Sequence, residues 1–223
     1  MRSLLLPQIN EVAADLDVAE WVQGEPSNIS QQKGKIIIVN VFQVNCPGCF
    51  SASFPEIIDA LQKFNDKPVI FWGLATAFED FQLNNLENLK KLISHGEVIG
   101  ETLYTLGSQG MIENNCLSYT IPFPVAWDKI IPADPSNASA DAAKMIERDF
   151  PEFEKLPESS QKKIMEQVMS YYSDKKFSAS TFEKYQIRGT PSTLIIDQTG
   201  VLRGKWFGSG FDLTKEIQNL LAE

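Results

Sequence analysis

Residues 36–49 read Ile36-Ile37-Ile38-Val39-Asn40-Val41-Phe42-Gln43-Val44-Asn45-Cys46-Pro47-Gly48-Cys49. The first seven are apolar and mostly β-branched, with Asn40 the one exception. A run of this length without alternation predicts a strand buried on both faces, as in a sheet covered by helices. Past the second cysteine, Ser51 to Phe64 carries Phe54, Ile57, Ile58, Leu61 and Phe64 at spacings of three or four. That is the pattern of an amphipathic helix, which Pro55 should kink. A buried strand therefore runs into a Cys-x-x-Cys pair at the start of a helix. The free amides there stabilise an anion. Cys46 is the cysteine placed to feel them, and its thiol pKa is expected to fall from about 8.5 toward roughly 3.5–7.5. Cys49, one turn further on and less exposed, can attack a mixed disulfide formed by Cys46 and release the partner.

Outward from this stretch, strand and helix patterns alternate. Val69–Ala75 reads as a second buried strand, and Phe78 to Ile93 as a helix stopped by Gly96. Residues 97–120 read as loop with a short helix near 102–107. Pro122–Trp127 reads as a third strand with prolines at its entrance. Roughly 136–176 reads as a helical insertion in which Pro157 suits the first helical position. A short helix over Ser180–Tyr185 precedes the strand Ser192–Ile196, the turn Asp197-Gln198-Thr199-Gly200 and a return strand Val201–Phe207. Leu213, Ile217, Leu220 and Leu221 close the chain as an amphipathic helix. At the other end, residues 1–17 read as a helical lead-in and Trp21-Val22-Gln23 as a short edge strand. The expected class is α/β, a central mixed sheet flanked by helices. The chain reads as a single domain over 1–223, with 97–118 and 136–176 as insertions within it.

Composition narrows the function. Of 223 residues, 43% are hydrophobic, enough for a substantial core, and 29 acids against 20 bases leave a net charge of −9. Such a surface repels phosphate backbones, so nucleic acid is not an expected partner. No window approaches the roughly 18 apolar residues of a membrane span. Leu4-Leu5-Leu6 is too short for a secretory core and is followed at once by Pro7 and Gln8. The expected compartment is the cytoplasm, with export the alternative if a signal has been removed. Three cysteines make no disulfide scaffold. A zinc site at Cys46 and Cys49 needs two more ligands, and only Cys116 and His95 remain as nitrogen or sulfur candidates, at irregular spacing. No metal and no cofactor is expected. Cys116 reads as a small buried residue, and His95, before Gly96, as a structural residue at a helix end.

The segment Tyr185-Gln186-Ile187-Arg188-Gly189-Thr190-Pro191-Ser192-Thr193 resembles the thioredoxin superfamily stretch Y-x-I-R-G-x-P-T, which is followed by an apolar strand. The resemblance implies a thioredoxin-like fold, with the mainly helical insertion lying before the cis-proline strand. It implies that Pro191 is cis and lies against the Cys-x-x-Cys turn of Pro47 and Gly48, and that the Thr190 backbone pairs with an incoming chain. Lys35 to Phe42 followed by Cys-Pro-Gly-Cys is similar to redoxins of the TlpA/ResA type. The likeness covers roughly 33–75 and 119–221. Three positions bear on it. The tryptophan usual before the first cysteine is Asn45, the aromatic three residues earlier is Phe42, and the buried aspartate of thioredoxin is Asn40. An amide cannot accept the Cys49 proton as a carboxylate does, so water, or a carboxylate elsewhere such as Glu79 or Asp80, would have to serve.

The expected activity is thiol–disulfide exchange with protein thiols or disulfides, or with a dithiol reductant. One alternative is a non-catalytic module that uses the fold and the insertion as a docking surface. A peroxiredoxin-like peroxidase is a further alternative, although Asn40 to Cys46 lacks the P-x-x-x-T/S-x-x-C pattern of that family.

Overall fold

The computed structural model describes residues 7–223. The elements, in chain order, are β1 (Val18–Gln23), β2 (Ile36–Phe42), a π-helical segment Cys49–Ser53, α1 (Phe54–Lys63), β3 (Val69–Ala75), α2 (Leu86–His95), α3 (Gly100–Ser108), β4 (Ile112–Glu113), β5 (Cys116–Leu117) and β6 (Val125–Asp128). Then come β7 (Ile130–Pro132), α4 (Ala138–Asp149), α5 (Glu158–Asp174), β8 (Phe177–Ala179), α6 (Ser180–Lys184), β9 (Ser192–Ile196), β10 (Leu202–Phe207) and α7 (Leu213–Ala222). The chain divides into two compact units, one of residues up to Ile130 together with Ala179–Glu223, the other Ile131–Ser178.

In the larger unit, six strands among the described residues form a mixed sheet in the order β1-β6-β3-β2-β9-β10. β2, β3 and β6 run parallel, while β1, β9 and β10 each run antiparallel to a neighbour. Every residue of β2 is buried. Ile36, Ile38 and Phe42 enter a cluster with Phe50, Phe54, Ile57, Leu89, Leu106 and Ile217, contributed by the helices of one face. Ile37, Val39 and Val41 enter a second cluster with Leu16, Ile29, Tyr185 and Ile187. Each buried Ile or Val contributes about 1.5–3 kcal/mol. Five such residues, together with Phe42, outweigh the cost of burying Asn40 in the same strand.

The remaining elements follow the sequence pattern, with local differences that have physical causes. Pro55 sits at the start of α1, and the change of helical register falls just before it: Phe54 N donates to Cys49 O in the π-helical segment. The helix expected from Phe78 begins only at Leu86. Asn85 caps it by accepting from Asn88 N at 2.9 Å, and Asn84 turns its side chain to other backbone groups, so residues 78–85 form turns instead. Pro157 caps α5 from the position before its first residue rather than occupying that residue. The helical lead-in expected over 1–17 lies outside the described residues up to 6 and is not formed over 7–17. There the chain runs alongside the β9–β10 turn: Asn10 N donates to Leu202 O, Leu202 N to Glu11 O, and Ala13 N to Gly200 O. The amides of Asn10 and Ala13 are thus taken by this neighbouring backbone, and that of Leu16 by Asn28 Oδ1 at 2.8 Å, so none of the three enters a helical ladder.

The smaller unit is a helical hairpin. α4 and α5 pack over Ala142, Ile146 and Val168, with Met145, Ile164 and Tyr172 at the margin.

Asp128, the last residue of β6, is fully buried. It accepts from Thr76 Oγ1 at 2.9 Å, from Thr181 N at 2.9 Å and from Phe182 N at 3.1 Å, so it caps α6 from across the sheet. Burial outweighs these bonds and pushes its carboxyl up to about 6. The folded state thus keeps a proton that the unfolded chain releases near the usual aspartate value of 3.8. This contribution to stability is complete below about pH 3.8 and is lost as pH rises through about 6. At about 1.4 kcal/mol per pH unit it amounts to about 3 kcal/mol. The Asp128→Asn variant should lack this slope. Urea unfolding at pH 4 and pH 7 should show the wild type losing that much stability relative to the variant, and parallel profiles would contradict it.

Candidate active site

The site forms where β2 ends. Phe42 is fully buried and meets Phe54 edge-on at 4.9 Å and Phe50 at 6.1 Å. This aromatic floor carries the turn that leads into the π-helical segment. Cys46 and Cys49 are joined as a disulfide, with Cα atoms 5.4 Å apart. Cys49 N donates to Cys46 O at 3.0 Å, closing the turn through Pro47 and Gly48. Cys46 retains 8% exposure and Cys49 none, so a partner sulfur meets Cys46 first.

Pro191 stands 142 residues beyond Cys49 in sequence, and the β2–β9 ladder returns it to the same place. Val41 pairs with Ser192, the residue after Pro191. The Thr190–Pro191 peptide bond is cis. A Cβ added at Gly48 would lie 3.9 Å from Pro191 Cδ, so the proline ring faces the dithiol turn directly. Thr190 remains half-buried. Gly208 N donates to Pro191 O at 2.8 Å and Ser192 Oγ to Gly189 O at 2.7 Å, which fixes the loop from both ends.

Asn40 lies beneath the π-helical segment on the same face of β2 as Phe42. Its Oδ1 accepts from Ser53 Oγ at 2.8 Å, while its buried Nδ2 has no partner among the described residues. Asn45 sits at the rim. Its Nδ2 donates to Asp80 Oδ2 at 3.2 Å, and its Oδ1 accepts from Glu101 N at 2.7 Å. Asp80 is thus joined to the residue before Cys46. Glu79 contributes its carbonyl to Asn84 Nδ2 at 3.0 Å. Among the described residues the fully buried acid is Asp128, at the end of a strand two removed from β2 in the sheet.

Several residues of the site carry no local sequence signal. Tyr119 donates from its hydroxyl to Phe50 O at 2.7 Å, and burial raises its phenol well above the ordinary value. Asn84 and Thr102 reach the Val44–Asn45 peptide. Only Ser53 was open to spacing, since it lies four residues after Cys49. Cys116 is half-buried rather than buried, in β5, with its sulfur donating to Asn114 O at 3.5 Å. His95 ends α2, where its Nδ1 meets Ser94 Oγ at 2.7 Å.

The Asn40–Ser53 pair yields a test. Ser53→Ala strands both polar ends of a buried amide and should cost about 1–3 kcal/mol in urea unfolding. Adding Asn40→Val removes the stranded groups and should recover most of that loss. A double variant no more stable than Ser53→Ala would contradict this account.

No family profile matches the sequence, and no curated protein matches it. Solved structures do. A thioredoxin-like superfamily protein, SPOA0173, is 24% identical, over 96% of this chain and 97% of its own, with a TM-score of 0.58. A thiol-disulfide isomerase from Corynebacterium glutamicum is also 24% identical over the same shares, with a TM-score of 0.56. The order of the sheet, the disulfide at the end of β2 and the proline facing it agree with those likenesses: the chain has the thioredoxin-like fold.

Proposed function

We propose that this protein is a thiol–disulfide oxidoreductase. The observation that carries the reading is the Cys46–Cys49 disulfide at the start of a helical segment, one sulfur accessible and the other sealed, with Pro191 against it. In the reduced protein, the Cys46 thiolate attacks a partner disulfide. A Cys46–partner bond forms and the other partner sulfur leaves as a thiolate. Cys49 then attacks the Cys46 sulfur, the partner's second sulfur leaves, and the protein disulfide closes again. Two electrons pass from the protein to the partner. The helical N-terminus holds the Cys46 anion.

Thr190 and Pro191, with Pro47 and Gly48, form the ledge on which an extended partner chain lies. The partners are protein thiols and disulfides, or a dithiol reductant. Phe42 supports the turn, while Asn40 and Asn45 take the places of a buried acid and a flanking tryptophan. Among the described residues no helix is long and apolar enough to cross a membrane. The Cys46–Cys49 potential sets the direction: near about −270 mV the pair acts as a reductant, and near about −120 mV as an oxidant.

Reduction of insulin disulfides tests the reading. Cys46→Ser should bring the rate to background, and Cys49→Ser should accumulate a mixed disulfide that a reductant releases. Full activity in Cys46→Ser would overturn it.

A further inference from the structure

The residue before Cys46 is held from several directions by groups that come late in the sequence. Asn45 N donates to Asn84 Oδ1 at 2.8 Å. Its side chain bridges Glu101 N, in the first turn of α3, and Asp80 Oδ2. The preceding carbonyl, Val44 O, accepts from Thr102 Oγ1 at 3.0 Å, and Thr102 is fully buried. α3 opens on Gly100 with φ +54, a conformation that favours glycine. A Cβ there would collide with Asn45 Oδ1 and come within 2.9 Å of Leu83 Cδ1. The helix therefore begins with the one residue that lets it come this close to Asn45. Asp80 is in turn presented by a turn in which Leu83 N and Asn84 N both donate to Asp80 O at 2.8 Å.

We propose that α3 is the positioning element of the dithiol, with Asn45 as its point of attachment. The inference rests on the exchange reading above and gives the 97–118 segment a task within it. Closing the disulfide requires the Cys46 turn to give up the conformations open to a free loop. A turn already held at Val44 and Asn45 gives up fewer, so the clamp shifts the equilibrium from dithiol toward disulfide. Neither Asn45 nor Thr102 needs to touch the reacting sulfurs for this. They act through the backbone that carries Cys46.

The test is the equilibrium of the Cys46–Cys49 pair with glutathione, read by alkylation of free thiols and mass. Cys46 attacks oxidised glutathione and expels one glutathione thiolate. Cys49 attacks the Cys46 sulfur and expels the second, and the two thiol protons leave through solvent. Asn45→Ala should lower the equilibrium constant for disulfide formation about tenfold, a rise in potential of about 30 mV. Thr102→Val, of similar shape but without the hydroxyl, should lower it about threefold. Thr102→Ser keeps the hydroxyl and should match the wild type. Ile146→Ala, in the helical hairpin, serves as a control for general destabilisation and should leave the constant unchanged. Asn45→Ala and Thr102→Val proteins that are folded, even with lower melting temperatures, yet keep the wild-type constant would overturn this inference and leave the exchange reading standing. A wild-type pair that does not equilibrate with glutathione would overturn both.

Discussion

The antiparallel pairing of β2 with β9 is the constraint on which the site depends. Val41 faces Ser192 and Ile37 faces Ile196 across that ladder. Cys46 follows four residues after the end of β2, and Pro191 immediately precedes β9. One register therefore brings together two segments that are far apart in sequence. A strand buried on both faces does not select its register by alternation, because a slip of one residue exchanges apolar groups for apolar groups. Asn40 is the one polar side chain in β2, and its carbonyl oxygen is satisfied by Ser53, which fixes the face of β2 that lies beneath the Cys49–Ser53 segment.

The buried polar groups are arranged differently from those of a thioredoxin with an acid beneath its dithiol. Here the position holds an amide bonded to a hydroxyl, and the buried carboxyl lies at the end of β6, where it caps α6. α6 leads through the buried Tyr185 and Ile187 into the proline loop. Asp128 thereby secures the start of the segment that ends at Pro191. Its raised pKa is the cost of burying a charge where two backbone amides and one hydroxyl are its partners.

The two stretches outside the family pattern behave differently. Extra loop length costs little in closure entropy, so long additions between β3 and β9 are tolerated. Ile131–Ser178 forms a hairpin with its own small core. The 97–118 stretch instead returns to the site, with α3 meeting Asn45 and Val44. Tyr119, just beyond it, meets the carbonyl of Phe50.

Local sequence was sufficient wherever a pattern had one physical solution. The apolar run of β2 could only be a covered strand, and the spacing from Phe54 to Phe64 could only bury its apolar residues as a helix. The cysteine pair at their junction marked the disulfide, and Gly189-Thr190-Pro191 marked by resemblance the cis proline that faces it. Sequence misled where backbone groups had a second choice. In residues 7–17, Asn10 and Ala13 gave their amides to the β9–β10 turn and Leu16 and Asp17 gave theirs to the side chains of Asn28 and Thr181, while residues 78–85 gave up helical bonds to asparagine side chains. Only the tertiary structure decided that Ser53 completes Asn40, that Asp128 is the fully buried acid among the described residues, that Asn45 is gripped by Glu101, Asp80 and Asn84, and that Thr102 holds the carbonyl of Val44. Those are hydrogen bonds between polar atoms brought together by packing, and no spacing along the chain encodes which donor will meet which acceptor.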